Sequence, residues 1–566
     1  MANQPLRVGV LIDTPRNLLA WECAMLRKIT GSRCADIVLV VHCDTAFEKR
    51  ALERRQGLGS PLTMAVLKVT RSLRTKLEDK VGGCDPDAFA LSHDQGPFRG
   101  VPRVHVTPAR EQRGSDVDPS DIERIRAYDV DILIGLGVGL PRGDILNVAK
   151  YGVWSLRYAD SPIGGADAAG FWEVFHALPV TGSALQVTGR DLDTEKIIGR
   201  TFSATCTASV RRNRNHLYWK ASFQLPRKLE ELRLLGPDVF FAKDHNDGHA
   251  TIHSIRLLAK PTLSAEIVLV FRIFWRIYSN RIRDFFVASQ WILLFELRDD
   301  FLPSFSKFKK IIPPKNRFWA DPHALIRDQK HYVFVEELLY RQHKGHISVM
   351  EIREDGTPTM PQRVLEEPYH LSNPSVFENG AQIFLIPESA QNRSVDLYRC
   401  VSFPDKWEHC ETLLKDVHAV DATVHFHQGK WWLFANIREH ESGSADDDLF
   451  LFCSDTLQRG QWKAHPANPI VSDVTRARPA GNIFEHEGKI YRPAQDCSIR
   501  YGYGMRIQEI LKLSESEYLE REVAFIEPTW DEKIIATHSF SKAGRLMVSD
   551  GLQERWELFP GLRRSA

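Results

Sequence analysis

The feature that most constrains the fold is a repeat in the C-terminal part of the chain. Five segments share a polar turn with glycine or a charged residue, followed by an apolar or aromatic strand: "DQKHYVFVEE", "ENGAQIFLIPES", "HQGKWWLFANIRE", "HEGKIYRPAQDC" and "KAGRLMVSDG". They recur at intervals of about 50 residues, the length of one four-stranded propeller blade. The pattern predicts a five-bladed β-propeller over residues 313–566.

A second motif precedes each repeat: "WADPHAL", "LSNPSVF", "VDATVHF", "PAGNIF" and "THSFS". These are the innermost strands of the predicted blades, and such strands line the central channel of a propeller. We therefore expect the residues that open these segments to converge on one pocket: Asp321, Asn373, Asp421, Arg478 and His538.

The N-terminal region has a different pattern. From Arg7 to about Arg200, short apolar runs such as "ADIVLVV" and "VDILIGLGVG" alternate with helical stretches such as Ala20–Ile29. The runs lack polar alternation, which is typical of strands covered on both faces. The order predicts βαβ units with a mostly parallel sheet, that is, an α/β domain over residues 1–210.

Residues 211–312 separate these two regions, and their most distinctive part is an apolar stretch at 262–301. A membrane-spanning helix needs about 20 residues with few or no charges, and arginines interrupt this stretch. We expect a connector with an amphipathic basic helix packed between the domains; the alternative is a peripheral contact between its basic face and anionic lipid. The arginines are Arg272, Arg276, Arg281, Arg283 and Arg298.

Composition narrows the classes of partner and compartment. Lys plus Arg, 74, nearly balance Asp plus Glu, 73, so no nucleic-acid partner is expected. The nine cysteines form no CxxC pair, which is typical of reduced thiols, and no metal site is expected. The N-terminus, "MANQPLRVGVLIDTP", enters a strand pattern within a few residues without a signal-peptide pattern, so a cytoplasmic protein is expected.

One long N-terminal segment, "DVDILIGLGVGLPRGDILNVAKYGVWSLRYADSPIGGADAAGFWEVFHALPVTGSALQVTGRDLDTEKII", resembles the formyltransferase fold family. Members of that family transfer a one-carbon unit from 10-formyltetrahydrofolate to an amine. The resemblance covers about residues 5–210 and implies a Rossmann-type sheet with 10-formyltetrahydrofolate as cofactor. It also implies a cofactor-binding, glycine-bearing strand end at Gly135, Gly137 and Gly139.

The family's catalytic set is an Asn-x-His pair and a later Asp, which align here with Ser155, Arg157 and Asp193. Arginine stays protonated and cannot be a general base, and losing such a group costs about 10²–10⁴-fold in rate. A related subfamily carries "HHGD" where this chain has "RYAD", so Asp160 beside Asp193 is the candidate base. Two interpretations remain: a degenerate domain kept for binding, and a working formyl or acyl transferase with a rearranged site.

The C-terminal segments, among them "RFWADPHALI" and "VDATVHFHQGKWWLFAN", resemble the N-terminal domain of plant glucosamine inositolphosphorylceramide transferases. They also look like the five-bladed propellers of furanosidase-type glycoside hydrolases, in which acidic residues of successive blades act as base or nucleophile, acid and pKa modulator. This resemblance implies that Asp321, Glu388 and Asp421 are catalytic. The implied substrate-binding residues are Arg478, Asp496, His538 and Trp319.

Three functions follow from these resemblances. The leading one is an enzyme of bacterial surface-glycan assembly that transfers a formyl-type group to an amino sugar, with a sugar nucleotide or glycan as substrate. The second is a glycoside-processing propeller, hydrolase or glycosyltransferase, carried with an inactive formyltransferase domain. The third is a non-enzymatic glycan-binding protein, because Asp and Asn at strand starts often only cap turns and sugar transfer in the plant family is attributed to a separate C-terminal domain.

Overall fold

A computed structural model describes residues 4–13, 17–43, 61–83, 86–92, 94, 96–106, 117–136, 143–158, 169–189, 196–243, 261–301 and 304–557. The chain forms two compact units, one of residues 1–201 and 205–277 and the other of residues 202–204 and 278–566.

The first unit contains a seven-stranded sheet in the order β3-β2-β1-β4-β5-β6-β7. Its first five strands in that order are parallel, as the continuous apolar runs predict, whereas β6 is antiparallel to β5. The sheet is therefore mixed. The strands are β1 (Leu6–Asp13), β2 (Ala35–Cys43), β3 (Arg103–Val106), β4 (Ile132–Leu136), β5 (Val153–Tyr158), β6 (Val180–Thr188) and β7 (Lys196–Ala204).

The described helices are α1 (Ala20–Gly31), α2 (Pro61–Glu78), α3 (Pro119–Arg126), α4 (Phe171–His176), α5 (Val210–Leu235), α6 (Pro237–Ala242) and α7 (Leu263–Phe286). Short 3₁₀ turns occur at Asp79–Val81, Gly96–Phe98, Gly143–Asn147, Phe305–Lys307 and Ala390–Asn392. Helix α5 packs against α1 and β6, and its Leu217, Trp219 and Leu225 lie in the core of the first unit. The predicted connector therefore does not begin at 211, because α5 belongs to this core.

Helix α7 is the predicted amphipathic basic helix, and two of its arginines form hydrogen bonds to the backbone of α4. Arg272 donates to the carbonyl of Phe175, and Arg276 donates to that of Val174. Both carbonyls lie in the last turn of α4, where the regular helical donors run out, and that of Val174 also accepts from the backbone N–H of Ala177. These arginines thus donate hydrogen bonds to backbone carbonyls at the C-terminal end of α4. Among the described residues, no helix is long and apolar enough to cross a membrane.

The second unit is a five-bladed β-propeller, which confirms the prediction from the repeat. Blade one holds β10 (Arg317–Arg327), β11 (Lys330–Leu339), β12 (Lys344–Ile352) and β13 (Gln362–Leu365). Blade two holds β14 (Ser372–Asn379), β15 (Gln382–Ser389), β16 (Ser394–Ser402) and β17 (Lys406–Lys415). Blade three holds β18 (Ala419–His427), β19 (Lys430–Ile437), β20 (Asp448–Ser454), β21 (Lys463–Ala464) and β22 (Val471–Ser472). Blade four holds β23 (Phe484–His486), β24 (Lys489–Asp496), β25 (Gly504–Leu513) and β26 (Tyr518–Ile526).

Blade five is assembled from both ends of the unit. Strands β27 (Phe540–Ala543) and β28 (Leu546–Trp556) pair with β8 (Val287–Leu297) and β9 (Lys309–Ile311), which precede blade one. Strand β8 pairs with β28 along the full length of both strands. The ring is therefore closed by backbone hydrogen bonds. The boundary predicted at 313 is too late, because residues 287–311 already supply two strands of this blade.

Candidate functional site

The site begins with a repeated backbone distortion on the first strands of three blades. Asp321, Asn373 and Asp421 have φ angles of 49°, 39° and 50°, in the left-handed region that Asp and Asn tolerate better than most residues. Each lies where the pairing with the next strand slips in register. A bulge of this kind re-aims a side chain out of the regular pleat. The three side chains are thereby directed away from ordinary strand positions.

The second strand of each of these blades contributes a polar residue beside the bulge. Glu336, Glu388 and Asn436 pair with the residues that immediately precede Asp321, Asn373 and Asp421. All three therefore hold equivalent positions in their blades. Burial, with the negative charge of Asp321, raises the pKa of Glu336 to about 7, against the opposing bond from His370.

His538, from blade five, links two carboxylates. Its Nε2 lies 3.0 Å from Oδ1 of Asp321, and its Nδ1 lies 2.8 Å from Oδ2 of Asp550. Burial acts to lower the pKa of His538, but the two carboxylates outweigh it and raise the pKa well above its ordinary value. The backbone N–H of Asn373 also donates to Oδ2 of Asp321. Asp321 is thus fully engaged by neighbouring blades, and its side chain is 7% exposed.

A second charged group centres on Arg478 of blade four. Its Nε donates to Oδ2 of Asp421 at 2.5 Å, and its Nη1 donates to Oδ1 of Asp446 at 2.7 Å. Its Nη2 lies 3.6 Å from Oε2 of Glu388, and its guanidinium stacks over the ring of Tyr501 at 4.8 Å. The predicted convergence of Asp421 and Arg478 is therefore present as a buried ion pair between blades three and four.

Glu388 connects this buried group to an open cavity. Its side chain is 15% exposed and lines a cavity of about 480 Å³ with Ala390 and Gln391. Burial raises the pKa of the Glu388 carboxyl well above its ordinary value, and the charge of Asp421 raises it further, with Arg478 opposing. The backbone N–H of Asp421 donates to Oε2 of Glu388 at 3.3 Å. A carboxyl whose pKa is raised in this way is a candidate general acid.

The remaining wall of the cavity consists of basic side chains. Arg393 follows β15 in a turn and Arg438 follows β19, so both are placed by loops rather than by the repeated strands. His418 precedes β18, and its buried Nδ1 has no hydrogen-bond partner within the described part of the chain. His370 completes the wall and pairs with Glu336 at 3.2 Å. A cavity with this lining suits an anionic ligand.

Two predicted substrate-binding residues lie elsewhere. Trp319 is 4% exposed and packs in the apolar core between blades five and one, with its indole N–H donating to Glu337. Asp496 binds Arg506 and Ser498 within blade four. The preceding residue, Gln495, donates to Asp421 instead. Both side chains are thus occupied by packing and internal bonds, and their predicted roles in substrate binding stay predictions.

The candidate residues of the first unit are only partly described. Ser155 and Arg157 lie within β5, which pairs with β4 on one side and with β6 on the other. Gly135 lies in β4 and pairs with Ser155. The other predicted positions lie outside the described residues, and the folate site stays a prediction: Gly137, Gly139, Asp160 and Asp193.

Sequence reasoning missed Glu336, Asp446 and Asp550. For Glu336 the signal was present, because "VFVEE" in blade one occupies the place of "LIPES" in blade two, whose glutamate was chosen. Asp446 lies in the segment between β19 and β20 and has no counterpart in the repeat. Asp550 follows the apolar run of β28, at the end of the fifth repeat, "KAGRLMVSDG".

The fold and site define the second unit as a five-bladed propeller with a buried network of charged groups next to a basic cavity. Residues 307–540 match a family described as "Glucosamine inositolphosphorylceramide transferase 1, N-terminal". The chain is similar to glucosamine inositolphosphorylceramide transferase 1 of Arabidopsis thaliana, with 34% identity over 38% of this chain. The protein of that name from Oryza sativa subsp. japonica is 34% identical over 37% of this chain. The chain spans 28% of the length of these curated relatives.

Solved structures with some likeness are glycoside hydrolases. A family 117 glycoside hydrolase from Zobellia galactanivorans is 10% identical, with a TM-score of 0.31 over 48% of this chain and 91% of that chain. A GH62 α-L-arabinofuranosidase from Coprinopsis cinerea is 12% identical, with a TM-score of 0.32 over 42% of this chain and 90% of that chain. TM-scores this low support no inference about function.

Proposed function

We propose that the cavity lined by Glu388 binds a phosphate-bearing saccharide or inositol, and that Glu388 acts there as a proton donor. The observation that carries the proposal is a carboxyl group with a strongly raised pKa at the wall of an otherwise basic cavity.

The charge of the cavity supports the choice of ligand class. Arg393 and Arg438 both line it, and guanidinium groups bind phosphate through short, charge-assisted hydrogen bonds. The name of the plant relatives mentions an amino sugar and an inositolphosphoryl group. The chain covers 28% of the length of those relatives. Transfer of a sugar to an inositolphosphorylceramide by this chain is therefore part of the proposal.

The buried network supports the role of Glu388. As a bond between carbon and oxygen breaks, protonated Glu388 gives its proton to the leaving oxygen and becomes a carboxylate. The guanidinium of Arg478, 3.6 Å away, stabilises that new charge. Asp421 is fixed by bonds from Arg478 and Gln495 and lies next to Glu388. Water or a sugar hydroxyl then attacks the carbon and gives its proton to the Glu388 carboxylate, which restores the acid and gives hydrolysis or glycosyl transfer respectively.

Calorimetric titration with myo-inositol 1-phosphate and with neutral myo-inositol tests the ligand class. We expect the phosphate ester to bind more tightly, and Arg438→Met to weaken its binding by at least about tenfold, the effect of losing one charge-assisted bond. Arg399→Met is the matched control, since Arg399 is a surface arginine of blade two paired with Glu408 and does not line the cavity. Equal affinities for both probes, or equal effects of the two variants, would contradict the proposal.

A further inference from the structure

We propose a divalent-cation site, suited to Zn²⁺, formed by His425, His427 and Glu485 between blades three and four. It is independent of the function proposed for the Glu388 cavity. Residues two apart on a strand point to the same side, so His425 and His427 on β18 share one face. Glu485 comes from β23, the first strand of the next blade.

The potential ligand atoms of these three residues already lie close to one another. One nitrogen from each imidazole and one carboxylate oxygen of Glu485 all lie within 4.8 Å of one another. Nε2 of His425 lies 3.6 Å from Oε1 of Glu485, beyond hydrogen-bond distance. A tetrahedral ion with bonds of about 2.0–2.1 Å separates its ligand atoms by roughly 3.4 Å, so modest side-chain rotation completes the geometry.

A second observation points to a missing partner. Nε2 of His425 is buried and has no hydrogen-bond partner among the residues that the structure describes. A buried polar atom left unsatisfied costs about 1–3 kcal/mol, and most such atoms in native proteins are paired. The His425 side chain is 12% exposed, whereas Glu485 is 59% exposed and leaves one side of the group open to solvent. An ion bound there would satisfy Nε2 and would be reached from solvent.

The site is separate from the Glu388 cavity. Strand β18 begins near Asp421 and ends at His427, and a strand advances about 3.3 Å per residue. His425 therefore lies roughly 13 Å along the strand from Asp421. Because β18 and β23 belong to different sheets, an ion would join two neighbouring blades whose described strands do not pair with each other.

The donor set indicates which ion fits. Two imidazoles and one carboxylate suit Zn²⁺ among the common divalent ions, whereas Ca²⁺ and Mg²⁺ prefer oxygen ligands. Three protein ligands leave a fourth tetrahedral position for water or another ligand. The expectation from cysteine spacing, that no metal site exists, did not consider a histidine pair on a strand.

The test uses the full chain, treated with a chelator, dialysed and titrated calorimetrically with ZnCl₂. We expect one equivalent of Zn²⁺ per chain at this site and a loss of at least about tenfold in affinity for His425→Ala. His409→Ala is the control, because His409 is a half-exposed histidine on an outer strand of blade two. Glu485→Gln, at an exposed side chain, serves if His425→Ala fails to fold.

Titration with Co²⁺ provides a second readout. Ligation by nitrogen and oxygen gives the visible bands of a tetrahedral cobalt ion without thiolate-to-metal charge transfer. Those bands should be lost in His425→Ala and kept in His409→Ala. Stoichiometric binding that survives both His425→Ala and Glu485→Gln, or a spectrum dominated by thiolate ligation, would overturn the proposal.

Discussion

Glu337 in blade one is the residue whose contribution to stability can be calculated most directly. Its Oε1 accepts from Nη1 of Arg317 at 2.8 Å and from the indole of Trp319 at 3.2 Å. Its Oε2 accepts from Oγ of Ser348 at 2.7 Å and lies 3.3 Å from Nε2 of His346. Burial acts to raise the pKa of Glu337, but these bonds outweigh it and lower the pKa from 4.5 to about 2.

A depressed pKa in the folded state stabilises the fold at neutral pH. The shift from 4.5 to about 2 corresponds to about 3 kcal/mol. This contribution is fully present above the unfolded-state pKa and is lost as the pH falls through 4.5 towards 2. We therefore expect Glu337→Gln to lower the free energy of unfolding by about 3 kcal/mol at pH 7. The difference from wild type should shrink as the pH falls below 4.5.

Urea denaturation followed by tryptophan fluorescence, from neutral pH down to values well below 4.5, measures this difference. Glu378→Gln is the control, because Glu378 is a partly exposed carboxylate paired with Arg327 and should contribute less than about 1 kcal/mol. A Glu337→Gln variant as stable as the control at pH 7 would refute the reasoning. So would a difference that does not change with pH.

Three further outcomes are expected. Arg478→Met should cost about 3–5 kcal/mol in urea denaturation, because it leaves Asp421 buried without its cation; a cost below about 1 kcal/mol would contradict the ion-pair network. In α7, Trp275 is 71% exposed, so Trp275→Ser should weaken sedimentation with phosphatidylserine vesicles several-fold, whereas Trp556→Ser at the end of β28 should not; equal effects would exclude a lipid contact at α7. The formyltransferase resemblance predicts micromolar binding of 5-formyltetrahydrofolate, about −8 kcal/mol, that is weakened in Asp193→Asn; calorimetry that detects no binding would contradict it.

The propeller could be predicted because its signal repeats. Each blade carries the same turn between its first two strands, so five weak patterns reinforce one another. Strand β8 carries no such turn and directly follows the apolar residues of α7, so its eleven residues read as a continuation of the helix. Only the pairing with β28, which is remote in sequence, fixes it as a strand. Pairing between strands this far apart along the chain produces no pattern in the sequence near either strand.

In the candidate site, the residues that belong to the repeated motifs could likewise be predicted from the sequence. Asp321 and His538 open equivalent strands, and this alone was enough to predict that they meet. Trp319 opens the same motif as Asp321, but the bulge at Asp321 interrupts the alternation of the strand, so the Trp319 side chain lies in the blade core while Asp321 does not. The basic residues of the cavity, such as Arg393 and Arg438, come from loops without a repeated pattern, so their convergence is visible only in three dimensions.

The protonation state of Glu388 tests the central claim most directly. A protonated carboxylic acid has a C=O stretching band that a carboxylate lacks, so infrared difference spectra of wild type minus Glu388→Gln report this one group. The spectra are best recorded at pH 8, where Glu336, with its pKa of about 7, is largely ionised. The account predicts a protonated-acid band at pH 8 that is present in wild type and in Glu336→Gln but absent in Glu388→Gln. A wild-type spectrum without this protonated-acid band would show that Glu388 is ionised at that pH and would contradict its role as the proton donor.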